Sequence, residues 1–389
     1  MIVELRGINF KNKGAELMMN TVVQQVSNWH QENIVAVRPR TGTFKQKSQA
    51  GLYSLAWLDS KISFSPPLID TLANLIPRKI RHLYGVTTYS EIDAILDASG
   101  FAYSEQWGLG LTKMMADEAK KGKRSGKKII LLPQAFGPFE SPSLKNSFLQ
   151  VLDNSDLIFA RDKISYEHLI NLGGKSSHIK IAPDFTNLVK GKVPDYLPHP
   201  FNQPCIIPSA RMIDKTPAHI RQNYLFFLVT CTKELIRKKQ EPFILVHDTG
   251  SDFELASQLQ TEVGQAIKII NEPNPLLIKG ILSQCSLVIA SRFHGLISAL
   301  SQGVPGLGLG WSHKYNQLFE DYCCSECLIS SLDSEEEIQH KLSLITEEPS
   351  RSSIISRLQT ASIQQKELSV NMSNEVRKCL ESRSDLLFI

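Results

Sequence analysis

The stretch "SLVIASRFHGLISALSQGVPGLGLGWSHK" (Ser286–Lys314) holds a whole folding unit in miniature. Ser286–Ala290 is a short apolar run, which reads as a buried strand. "LISALSQG" places its apolar residues at helical spacing and stops at Gly303, the residue that commonly ends a helix. "PGLGLGW" is one more short strand. The run "GVPGLGLG" superficially suggests a dinucleotide-binding loop, but that fingerprint needs a strand before it and a helix after it. Here a helix precedes it, so it reads as a turn and a strand. Strand, helix and strand in succession imply parallel pairing with the helix on one face of a sheet. Arg292 and His294 stand where the first strand ends. Alternation along an extended chain expects them on one side, with Phe293 turned into the packing.

The same rhythm runs outward in both directions. "IVEL", "IVAV" (34–37), "AILDASG" (94–100), "KIILLPQ" (128–134), "LIFARD" (157–162) and "IKIAPD" (179–184) are strand-like, with helical patterns between most of them. The rhythm restarts with "CIIPSAR" (205–211), "PFILVHD" (242–248) and "AIKIIN" (266–271). The expected fold class is therefore α/β, with two doubly wound, Rossmann-like domains facing across a cleft. The stretch 190–204 is proline-rich and aperiodic and reads as a linker. The expected division is an N-terminal α/β domain over 1–190, a linker over 191–204, a C-terminal α/β domain over 205–349 and a helical segment over 350–389. The segment 41–90, with "SPP", several aromatics and "PRKIRHLYG", is less regular and reads as a helical insertion.

Bulk composition narrows the function. With 389 residues, 42% hydrophobic and 21% charged, the chain has the make-up of a globular protein of about two domains. The net charge of +4 comes without an arginine-rich run or interleaved aromatics, which argues against nucleic acid. It suits an anionic small molecule or peripheral contact with an anionic membrane. Seven scattered cysteines argue against a disulfide framework. "CCSEC" (323–327) lacks a second Cys/His pair, so no metal is expected and a helix with buried thiols is. The polar N-terminus and the lack of an apolar run of 18 residues point to a cytoplasmic protein.

Ligands of open α/β sheets bind at the carboxyl ends of strands. In the second half those ends carry Arg211, His247–Thr249, Ser291, Arg292, His294, His313 and Lys314. Converging cations beside a helix N-terminus suit a phosphate or carboxylate, and an imidazole there suits proton transfer. The first half offers Asn9, Lys13, Glu16, Tyr103, Glu105, Gln134 and Asp184.

"RGINFKNKGAELMM" (6–19), "PQAFGPF" (133–139), "FARDKISYEHL" (159–169), "APDFT" (182–186) and above all "SRFHGLISALSQGVPGLGLGWSHKY" (291–315) resemble the polysaccharide pyruvyl transferase family. The resemblance implies a glycosyltransferase-B-like fold. It also implies transfer of the enolpyruvyl group of phosphoenolpyruvate to a sugar or lipid-linked oligosaccharide, as a pyruvate ketal with release of phosphate. No cofactor beyond this donor is implied. The family's donor-binding positions map onto Arg211, Arg292 and His294, with Ser291 and Lys314 beside them and Arg292 and His294 as the catalytic pair. Asn9, Glu16, Glu105, Gln134 and Asp184 form the expected acceptor side, with Glu16, Glu105 and Asp184 as general-base candidates. The family's Gly-Gln-Gly-x-Gly-Pro reads Pro-Gln-Ala-Phe-Gly-Pro here, a departure on that side. The rival readings are a nucleotide-sugar glycosyltransferase, with Glu320, Asp321 or Glu326 gripping a ribose, and a non-catalytic partner in a polysaccharide assembly complex.

Overall fold

The computed structural model describes the chain except residues 57–65, 249, 311, 313, 330–331, 333 and 383–389. The chain divides into two compact units. Unit 1 comprises Met1–Phe10, Met18–Phe185 and Leu368–Ile389, and unit 2 comprises Lys11–Leu17 and Thr186–Glu367.

Unit 1 holds the strands β1 (Ile2–Arg6), β2 (Ile34–Val37), β3 (Tyr53–Leu55), β4 (Val86–Thr87), β5 (Ala94–Asp97), β6 (Lys128–Gln134), β7 (Leu157–Ala160) and β8 (Ile179–Ile181). They form one sheet in the order β4-β3-β2-β1-β5-β6-β7-β8, with parallel pairing throughout. Unit 2 holds β9 (Cys205–Ile207), β10 (Phe243–Val246), β11 (Ile269–Asn271), β12 (Val288–Ala290), β13 (Gly306–Leu309) and β14 (Leu328–Ile329), in the parallel order β11-β10-β9-β12-β13-β14.

The central strands are continuous Val/Ile/Leu runs because helices cover both faces of a parallel sheet. β9, β10, β12 and β13 are buried at every position. The glycines of "GLGL" serve packing. A Cβ at Gly308 would meet the Phe319 ring at 2.4 Å, so the strand is glycine-rich because an aromatic ring lies on its backbone.

Several boundaries differ from the sequence expectation. The units part between Phe185 and Thr186, and 191–204 belongs to unit 2. Its Leu197 and Phe201 are buried in that unit's core. Gly191 and Gly280 let it lie directly on the helix Pro275–Ser283, since a Cβ on either would strike backbone below 2.5 Å. A proline-rich stretch thus packs as structure because its few apolar residues find a core. The segment from 350 is one helix, Ser350–Glu381, shared between the units at residue 367. "CCSEC" is a turn at Cys323 (φ 53°) followed by one 3₁₀ turn, Ser325–Cys327, and not a helix. The segment 41–90 supplies β3 and β4 as well as the short helices Phe44–Gln49, Pro66–Asn74 and Arg78–Leu83. Among the described residues no helix is long and apolar enough to cross a membrane.

Candidate active site

Loops leaving the carboxyl ends of strands diverge where strand order reverses, and leave a crevice there. In unit 2 the reversal lies between β9 and β12. β12 ends at Ala290, and the helix Phe293–Leu300 starts with Arg292 as its extended N-cap residue (φ −107°, ψ 120°). His294 therefore sits in the first helical turn, and strand alternation does not place it. Phe293 does turn into the packing, edge-on to Tyr315 with ring centroids 5.8 Å apart. His294 stays half-buried.

Arg292 is fixed by two carboxylates. Its Nε donates to Asp252 Oδ2 at 2.8 Å and its Nη2 to Asp252 Oδ1 at 2.5 Å. Its Nη1 lies 3.4 Å from Asp248 Oδ2. Asp252 is fully buried and also accepts the Ala210 N–H at 2.8 Å. One carboxylate thus ties the loop after β9 to the loop after β12. Burial alone would lower the Arg292 pKa, but Asp252 and Asp248 raise it, so the cation is secure. Tyr315 donates to the Ser291 carbonyl at 3.1 Å, and the Tyr224 hydroxyl accepts the Ser209 N–H at 3.0 Å. Ser209 Oγ is buried without a hydrogen-bond partner among the described residues.

The segment Lys11–Leu17 completes this end of unit 2. Asn12 pairs with Asp248 in an isolated antiparallel bridge. Its side chain accepts the N–H groups of Gly14 and Ala15 at 2.9 and 3.2 Å, capping the helix Lys13–Trp29. A Cβ at Gly14 would meet His294 Nδ1 at 2.2 Å, so only glycine lets the helix start lie against the imidazole. Lys13 Nζ and Glu16 Oε2 are 2.7 Å apart. Burial pushes the Glu16 carboxyl up despite Lys13. His247 is buried, and burial, followed by the charges of Arg292, His294 and Lys13, drives its pKa well below the usual value. It is a neutral imidazole beside cations.

The remaining expected residues scatter. Lys314 opens the helix Lys314–Asp321 with Nζ 5.5 Å from the Phe293 ring centroid, so it stays with the Arg292–His294 turn. Arg211 opens the short helix Arg211–Asp214, half exposed and bonded to Asp214 at 2.6 Å. Glu105 accepts the N–H groups of Glu140 and Ser141, both at 3.2 Å, at the start of the helix Pro142–Asn154. Asp184 pairs with Arg161 at 3.1 Å. Glu105, Asp184, Gln134 and Asn9 all belong to unit 1, whereas Glu16 belongs to unit 2. Thr249 and His313 lie outside the described residues.

Unit 1 has its own reversal, between β1 and β5. A cavity of about 350 Å³ opens there, lined in part by Arg6, Gly7, Arg38, Asp97, Ser99 and Tyr103. Asp97 gathers hydrogen bonds from Ser99 Oγ (2.7 Å), Gln134 Nε2 (2.9 Å) and Tyr103 Oη (3.1 Å). Arg6 and Arg38 are held by the buried Glu4, at 2.9 and 3.0 Å.

The family model of the polysaccharide pyruvyl transferases matches residues 12–313. The chain belongs to the polysaccharide pyruvyl transferase family. Most of the geometry above falls inside the matched span, from Asn12 to the Arg292–His294 turn. The chain is similar in fold to solved sugar enzymes. S. aureus MnaA with UDP has a TM-score of 0.60 at 15% identity over 97% of this chain and 96% of that one. The UDP-GlcNAc 2-epimerase from Neisseria meningitidis bound to UDP-GlcNAc has 0.59 at 12%, over 98% and 99%. Anabaena HepE with UDP has 0.58 at 14%, over 97% and 99%. The fold is the GT-B type of glycosyltransferases and epimerases. No curated protein sequence matches significantly.

Two residues of the candidate sites were not singled out in the sequence: Asp252 in unit 2 and Asp97 in unit 1. His247 and Lys13 stood at strand ends and were visible as candidates. Asp252 looked like an ordinary acidic residue in the first turn of a helix.

Proposed function

We propose that this pyruvyl transferase moves the enolpyruvyl group of phosphoenolpyruvate onto a sugar of a cell-surface polysaccharide or its precursor. It forms a pyruvate ketal and releases phosphate. The observation that carries this reading is the carboxylate-locked Arg292 at the N-terminus of the helix bearing His294, with Lys314 alongside. A small donor with a carboxylate and a phosphate suits this cluster of cations and helix-start N–H groups.

In this reading His294 delivers a proton to C3 of the donor. A sugar hydroxyl adds to C2, its proton passing to Glu16, whose raised pKa suits a base. The C2–O bond to phosphate then breaks, and a second hydroxyl of the same sugar closes the ketal and returns its proton to His294. Arg292 and Lys314 meet the departing charge, and Arg211, paired with the exposed Asp214, swings to the donor carboxylate. Unit 1 takes the acceptor. Asp97 with its ring of hydroxyl and amide donors matches a polyhydroxylated ligand.

A nucleotide-sugar transferase is the second reading, favoured by the UDP and UDP-sugar complexes of proteins sharing the fold. Of its ribose-gripping candidates, Glu326 is engaged by Arg357, and Asp321 accepts from Gln317 at 2.9 Å. Calorimetric titration with phosphoenolpyruvate and with UDP separates the two. Binding of phosphoenolpyruvate that weakens in Arg292→Ala supports pyruvyl transfer, and binding of UDP alone overturns it.

A further inference from the structure

A surface helix of a globular protein normally buries its apolar side chains and shows its charges to water. The stretch 70–84 of unit 1 does the reverse. Arg81 is only 6% exposed and grips Glu91 with both Nη atoms. Burial opposes ionisation of Glu91, yet hydrogen bonds from Arg81, Thr88 and Thr87 pull its carboxyl down to about 2. Asp70 accepts the backbone N–H groups of Tyr89 and Ser90 at 2.6 and 3.0 Å. These polar groups tie the helices Pro66–Asn74 and Arg78–Leu83 to the body of the unit. The apolar residues point out: Leu75 is 76% and Leu83 80% exposed, and Leu72, Ile76, Ile80 and Tyr84 are each about half exposed or more.

We infer that this face docks unit 1 onto an anionic membrane surface. The polar anchors hold the helices by their charged residues so that the greasy ones remain outside, an arrangement that water alone does not reward. The charge beside the apolar residues selects the occupant. From Leu72 to Tyr84 the sequence has Arg78, Lys79, Arg81 and His82 and no acid. Arg78 and Lys79 are exposed. A second copy on the same face would bring these cations against their own symmetry mates, whereas anionic headgroups neutralise them. Both helices are far too short to span a bilayer, but leucine, isoleucine and tyrosine flanked by basic residues suit the headgroup boundary. The sequence motif "PRKIRHLYG" thereby acquires a role.

The test is co-sedimentation of the full chain with vesicles of phosphatidylcholine alone, or with about one-third phosphatidylglycerol. The chain should pellet with the anionic vesicles and be released by salt. Leu75→Asp/Leu83→Asp should cut that partitioning at least about tenfold. Arg78→Glu/Lys79→Glu should abolish the preference for phosphatidylglycerol and the salt dependence. Both variants change exposed side chains, and unchanged melting curves would confirm that they fold. The inference is overturned if the wild type stays in the supernatant with both vesicles, or if Leu75→Asp/Leu83→Asp pellets like wild type. It is equally overturned if the variants abolish a dimer of the free chain instead of vesicle binding. The readout needs no turnover, so it stands or falls apart from the pyruvyl-transfer reading.

Discussion

The two sheets reverse strand order once each, between β1 and β5 and between β9 and β12, and the two crevices carry opposite chemistry. In unit 2 the buried acid Asp252 holds an arginine, and the neighbours are His247, His294 and Lys13. In unit 1 the buried acid Asp97 collects two hydroxyls and an amide, while the arginines nearby are held by Glu4. Topology supplies both crevices. In the proposed reading, what the first residues past each strand can bond decides whether the crevice takes an anion or a polyol.

The comparison breaks most sharply at Arg292. Arg292→Ala should lower phosphate release by roughly a thousandfold or more. It should also destabilise the protein by about 3–5 kcal/mol, because it leaves Asp252 buried and unpaired. Denaturant melts of Arg292→Ala and of Arg292→Ala/Asp252→Asn separate the two effects: the double change should recover stability but not turnover. Normal turnover in Arg292→Ala would remove its donor role.

Gly14→Ala comes next. The added methyl must displace His294, so turnover should fall about 10- to 100-fold while the melting curve moves little. A steady-state assay with a wild-type kcat would show that the imidazole is free to step aside. On the other side, Asp97→Asn should raise KM for the acceptor about tenfold and leave KM for phosphoenolpyruvate alone. An equal effect on both substrates would erase the proposed division between the units.

The smallest effect concerns pH. His247 is held neutral in the folded chain, because burial pushes its pKa well below the ordinary imidazole value of about 6.5. Below pH 6.5 the unfolded chain binds a proton that the folded chain does not. Stability is therefore full above that pH and falls as pH drops toward the folded pKa, by up to about 1.4 kcal/mol per pH unit. His247→Gln should flatten that slope in denaturant titrations between pH 5 and 7 by roughly this amount. An unchanged slope would mean that His247 takes up a proton in the folded state.

The long strands were legible because a buried parallel strand must be apolar throughout, and "KIILLPQ" or "SLVIA" has no other good reading. β3, β4 and β14 were not: β4 and β14 are two residues long, and β3 is a half-buried strand inside the irregular segment 41–90. Arg292 and His294 stand out in the sequence as a candidate pair, but a helix start places His294, not an extended strand. Glu105 and Asp184 stood at the right strand ends and are spent on backbone N–H groups at a helix start and on an ion pair. Position at a strand end is a topological property; partnership is a three-dimensional one.

The sequence by itself determined two parallel α/β sheets, the strand ends that could carry chemistry, and the family, because periodicity and motif spacing are local. Only the tertiary structure assigned Lys11–Leu17 to unit 2, set Gly14 against His294, locked Arg292 onto Asp252 forty residues away, and turned the apolar residues of 72–84 outward. Each of these depends on contacts between residues far apart in the chain. Burial and pairing at such contacts are settled by the competition of all side chains for one core, which no local pattern records.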